Sequence, residues 1–174
     1  MRILSALLVL PLLILEGCAD SQKLNINNQF GAVSLDRNAS AYIAIPANGR
    51  YGNQEYHGSG ATVAQIIKGA LSVHLVHVDI GTKAESFPKA KSSSALGRHK
   101  YLFYPTIVHW EDRATEWSGM ADKVSVNIAV VDVKSGKQIS SASIDGQSGL
   151  ATLGGDHPQD LLPEPITRYI AELF

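Results

Sequence analysis

The chain has 174 residues, 45% hydrophobic and 18% charged, enough apolar material for one domain with a buried core. Its formal net charge of -1 creates no global field towards nucleic acid, and no nucleic-acid partner is expected. A single cysteine, Cys18, excludes an intramolecular disulfide and a thiolate metal cluster.

Residues 1–17 have the three parts of a secretory signal. The Met1 amine and Arg2 are positive, residues 3–15 are apolar apart from Ser5 and Pro11, and small Gly17 precedes Cys18. An apolar run of that length spans about 20 Å as a helix, short of the roughly 30 Å of a hydrocarbon core. A cleaved signal is therefore expected in place of a permanent span. The segment Leu15-Glu16-Gly17-Cys18 resembles the lipobox of bacterial lipoproteins, although Glu16 stands where a small or apolar residue is usual. The resemblance implies a diacylglyceryl group on the Cys18 thiol, cleavage before it, and a fatty acid such as palmitate on the new amine. Two or three acyl chains anchor stably where one does not. An ordinary signal peptide with an incidental cysteine is the alternative. By similarity to enterobacterial sorting rules, Ala19 directly after the cysteine implies the periplasmic face of the outer membrane, with the inner membrane as the other destination.

Residues 18–38, rich in Asn, Gln, Ser and Asp, read as the lipid anchor and a flexible tether without a buried face. One domain is expected over residues 39–174. The apolar run 41–45, ended by Pro46, predicts a buried strand. A Gly- and Asn-rich loop leads to Ser59, the expected cap of a helix marked by Val63, Ile66, Ile67, Ala70, Leu71 and His74. Residues 75–79 predict a second strand, and residues 82–98 a surface helix weakened by Pro88 and three consecutive serines.

Residues 100–112 form a long strand pattern with Leu102, Tyr104, Thr106, Val108 and Trp110 on one face; Pro105 within it predicts an edge or a bulge. Val124, Val126, Ile128 and Val130 alternate with polar residues as in a half-buried strand. Ser135-Gly136 turns the chain into a strand over 138–145, and a C-terminal helix begins near residue 164. The order β-α-β-(α)-β-β-β-α predicts an α/β (α+β) fold, a small mixed sheet of about five strands with helices packed on it. It is similar to the small α/β domains of periplasmic envelope proteins.

The strings Tyr101-Leu102-Phe103-Tyr104-Pro105 and His109-Trp110-Glu111-Asp112-Arg113, continuing to Gly119, come with Gly58-Ser59-Gly60 and Ser135-Gly136-Lys137. Together with the lipobox they resemble a family of uncharacterised proteobacterial lipoproteins with a domain of unknown function. The resemblance covers nearly the whole mature chain and implies location and fold, but no activity, substrate or catalytic residue.

The densest polar-aromatic cluster runs from Trp110 to Trp117. Trp110, Glu111, Arg113, Glu116 and Trp117 form a candidate binding surface, because exposed indoles beside a carboxylate–guanidinium set can stack on a sugar or anchor a protein. The structural reading, which the sequence favours, has the tryptophans cover one end of the sheet while Arg113 pairs with an acid across a hairpin. Among His57, His74, His77, His99, His109 and His157 only His74 and His77 are close in sequence, and no metal site is expected. Gly58-Ser59-Gly60 lacks the third glycine of a dinucleotide loop and the lysine of a phosphate loop, and no Gly-x-Ser-x-Gly elbow occurs; no cofactor is implied. The expected role is a non-enzymatic, membrane-anchored binding or assembly module with an envelope-protein or cell-wall partner. The alternative is a periplasmic hydrolase of cell-wall glycan or peptide using Glu111, Asp112 or Glu116 with His109, which needs two of these groups to meet in a pocket with shifted pKa.

Overall fold

The computed structural model describes residues 20–113, 120–149 and 157–174. Eight strands and three helices follow in chain order: β1 (Ser21–Ile26), β2 (Ser40–Ile45), β3 (Arg50–Tyr51), β4 (Gln54–Glu55), α1 (Ser59–Leu71), β5 (His77–Ala84), α2 (Phe87–Leu96), β6 (Tyr101–Glu111), β7 (Lys123–Asp132), β8 (Gln138–Gln147) and α3 (Pro163–Ala171). Six strands form one mixed sheet in the order β1-β8-β7-β6-β2-β5, and β3 with β4 makes a small hairpin. The fold class is that expected from the sequence.

The sheet has two halves of different character. β2 pairs in parallel with β5 on one side and β6 on the other, whereas β6, β7, β8 and β1 form an antiparallel meander. The crossovers β2-α1-β5 and β5-α2-β6 run in opposite directions across the sheet, and with the usual right-handed connection this puts α1 and α2 on opposite faces. The larger core lies under α1 and α3, where Val63, Ile67 and Ile170 meet Ile43, Phe103 and Val126. A smaller one under α2 joins Ala90 to Tyr42, Ala44, Leu102 and Val131. Covered on both faces, β2 is apolar at consecutive positions, which is why 41–45 reads as an unbroken run.

The structure corrects several expectations. The tether over 18–38 does not extend through residues 21–26: these form β1, in antiparallel register with β8 from Ser21 opposite Gln147 to Ile26 opposite Ala142. Its apolar pair, Leu24 and Ile26, packs on the main core, which is the alternation hidden among the polar residues. The sheet consequently has six strands where about five were expected. In β6 a bulge between Ile107 and His109 shifts the phase of the pleat. Leu102 and Tyr104 face the α2 side, while Trp110 joins Tyr101, Phe103 and Ile107 on the main core. Pro105 lies two residues beyond Phe103, the last residue of β6 paired with β2, where the missing donor costs no ladder bond.

Two helix starts also differ. The N-cap of α1 is Gly58, with φ +88°, and Ser59 is the first helical residue. The Ser59 hydroxyl donates to the Tyr56 carbonyl at 2.7 Å and accepts the Gly49 N–H at 2.8 Å, pinning the loop in front of the helix. Asn48 supplies the acceptor that a cap would, taking the N–H groups of Gly58 and Gly60 at 3.2 and 3.4 Å. α2 starts at Phe87, and Pro88 falls in its first turn, where its missing donor and fixed φ are tolerated.

Candidate functional site

The C-terminal end of β6 carries the polar cluster. Register places Glu111 opposite Lys123, Lys123 opposite Gln147 and Gln147 opposite Ser21, so the cluster and the start of β1 share one end of the sheet. Trp110 is only 2% exposed and belongs to the core, not to a surface. A Cβ on Gly49 would collide with Trp110, so glycine is what lets the β3 loop lie over the indole. Trp117 and Glu116 fall outside the described residues, as does Cys18.

Residues 109, 111 and 113 meet, as the two-residue period of a strand allows. Glu111 is 5% exposed. Its carboxylate accepts from the Arg113 guanidinium and, at 3.0 Å, from Nε2 of His109. Burial pushes the Glu111 carboxyl up, but those hydrogen bonds and charges outweigh it and hold it below 4.5. Glu111 in turn raises the Arg113 pKa. Arg113 also donates to the Tyr51 hydroxyl at 3.1 Å, lies over the Tyr51 ring at 5.1 Å, and approaches the Met120 sulfur at 3.2 Å. Tyr51 meets His109 edge-on at 5.5 Å between centroids. The Arg113 N–H donates to Asp122, whose own backbone exchanges bonds with Ser148. Asp112 faces a different partner, Nδ1 of His157 at 3.4 Å.

Of the residues proposed for hydrolysis, His109 and Glu111 are therefore brought together, while Asp112 is paired elsewhere. The pair does not have the character of a general acid: Arg113 shares the carboxylate, and the shift of Glu111 is downward. Tyr51, Met120, Asp122 and Ser148 were not singled out in the sequence. Tyr51 ends the two-residue strand β3 and the other three sit in loops, and no periodicity links them to 109–113.

A second polar network lies under α2. His99 contacts Asp79 at 2.8 Å through Nε2 and the Ser94 carbonyl at 3.3 Å through Nδ1. Tyr42 donates to Glu85 at 2.8 Å, and Ser93 donates to the other Glu85 oxygen at 2.8 Å. Burial, reinforced by Glu85, pushes the Tyr42 hydroxyl up to about 12. These bonds fasten α2 to β2 and β5. His74 and His77 do not converge: His74 stacks on Phe174 at 4.6 Å and meets Arg37 at 3.1 Å, while His77 approaches Asp79. Among the described residues no group of three His, Cys, Asp or Glu side chains is placed to hold a metal. Among them, too, no helix is long and apolar enough to cross a membrane.

A family model described as a domain of unknown function (DUF4823) matches residues 33–173. No curated protein matches the chain. Among solved structures, the PelC dodecamer from Paraburkholderia phytofirmans is similar with a TM-score of 0.69 at 15% identity, over 88% of this chain and 97% of that one. Lipoprotein GNA1162 from Neisseria meningitidis is similar with a TM-score of 0.51 at 15% identity, over 76% of this chain and 98% of that one. At that identity the likeness shows the fold, one shared with a lipoprotein.

Proposed function

The chain belongs to the DUF4823 family, and from that premise we propose that it is a lipid-anchored module of the bacterial cell envelope that works by contact with other proteins and not by catalysis. The observation that carries the reading is the state of Glu111. The buried carboxylate of the cluster is spent on Arg113 and His109, an arrangement that locks a sheet end and offers no acid to a substrate. Leu15-Glu16-Gly17-Cys18 and the fold likeness to lipoprotein GNA1162 support anchoring through Cys18. Ala19 favours the outer membrane, periplasmic face. Because the PelC structure is described as a dodecamer, the partner in our reading is first of all a second copy of this chain, joined in an envelope assembly.

The test is cross-linking in cells, followed by purification from separated membranes and intact-mass analysis. We expect an acylated N-terminal peptide beginning at Cys18, co-purification of further copies, and loss of membrane fractionation in Cys18→Ala. An unmodified Cys18 with unchanged fractionation would overturn the anchoring; a monomer mass for the acylated protein in detergent would overturn self-assembly.

A further inference from the structure

We propose that the end of the sheet formed by the β3 loop, the C-terminus of β6 and the N-terminus of β7 rests directly on the bilayer surface. The inference builds on the reading that Cys18 is acylated. It follows from how early the chain becomes fixed after that residue. Asp20 already accepts the Gly149 N–H at 3.0 Å, and Ser21 is paired with Gln147. Two residues of chain reach at most about 7 Å from Cys18 to Asp20. The headgroup zone of one leaflet is itself roughly 5–8 Å deep, the difference between the whole bilayer and its hydrocarbon core shared over two sides. A domain fixed so close to its acyl chains cannot stand off from the membrane.

Register identifies which residues the bilayer then meets. Ser21, Gln147, Lys123 and Glu111 form one row across four strands. Around Arg113, two residues past that row, lie Tyr51 and Met120, which are 42% and 57% exposed and both touch its guanidinium. Lys123 is exposed in the row itself and Arg50 next to Tyr51. An aromatic ring with a hydroxyl at its tip, a thioether and basic side chains within reach of phosphate make the composition favoured at a membrane–water interface. Of the other exposed aliphatics among the described residues, Val108 lies in β6 three residues before the row, while Val73, Val76 and Leu96 precede β5 and β6 at the opposite end of the sheet. With a rise of about 3.4 Å per residue along β6 these last three lie roughly 30 Å away, out of reach of the bilayer.

The experiment uses the acylated full chain in vesicles of phosphatidylethanolamine and phosphatidylglycerol. Acylation consumes the thiol of Cys18, so a nitroxide attaches only to an introduced cysteine: Met120→Cys, Lys123→Cys or, at the far end, Ser135→Cys. Collision with a water-soluble nickel chelate and with membrane-dissolved oxygen reads the depth of each label. We expect a several-fold lower nickel collision rate at 120 and 123 than at 135, and equal rates at all three in the soluble Cys18→Ala background. If the mass confirms acylation yet 120 and 123 collide with nickel as 135 does, the docking face is wrong and anchoring stands. If 135 is the shielded site, the orientation is reversed and the proposal falls. If the mass shows no acyl group on Cys18, the anchoring reading and this inference fall together.

Discussion

At the scale of single residues, the buried hydroxyl of Tyr169 and the buried carboxylate of Glu111 are each held by fixed partners. Tyr169 has no exposed surface and shares a hydrogen bond of 2.9 Å with Ser140; burial pushes its hydroxyl up to about 12 from 10.0. A raised phenol pKa means the unfolded chain ionises first, so its stabilising share is complete below pH 10 and is lost as pH rises towards 12. Two pKa steps correspond to about 3 kcal/mol. Urea unfolding of Tyr169→Phe against pH should accordingly show a shallower loss than the parent over that window; equal slopes would mean Tyr169 is not the group responsible. Glu111 has the opposite sign. Held below 4.5, it stabilises above that value and ceases to as acid protonates it, so Glu111→Gln should flatten the acid limb of stability. Arg113→Met should lower the urea midpoint, with part of the loss recovered in the double variant with Glu111→Gln, because the second change removes a buried carboxylate that has lost its guanidinium and keeps only His109.

At the scale of elements, what could be read in the sequence depended on whether an element carries its own pattern. The alternating β7 and the amphipathic α1 and α3 stand out because each buries one face, and β2 stands out as a run because it buries two. β1 did not stand out: it is a short edge strand whose burial alternates only between exposed and half-buried. The faces of β6 were misassigned because a bulge leaves the sequence unchanged while reversing the side on which later residues fall. The polar cluster was half legible: 109, 111 and 113 share a strand period, but Tyr51 of β3 and Met120 of a loop are brought near only by the tertiary fold. The place of Trp110 in the core gives a test. Trp110→Ala should cost about 3–5 kcal/mol in chemical unfolding, and Gly49→Ala about 1–3 kcal/mol through collision with the indole. Loss of partner binding without loss of stability in Trp110→Ala would contradict a core role. Deletion of residues 20–26 should lower the melting temperature and promote aggregation, since it strips Leu24 and Ile26 from the core and bares the edge of β8. A tether could be removed without either effect.

At the scale of the whole molecule, the pairing of β1 with β8 fixes an order of events. Ser21 and Gln147 are 126 positions apart, so β1 has no partner until nearly the entire domain exists. For a chain that emerges N-terminus first, β1 stays unpaired while β2 to β7 emerge. Its closing against β8 is among the last steps of folding, because the longest loop carries the largest entropic cost. For a chain acylated at Cys18, as proposed above, that order leaves processing free to run before β1 locks against β8, and a β8 that folds slowly would prolong the interval.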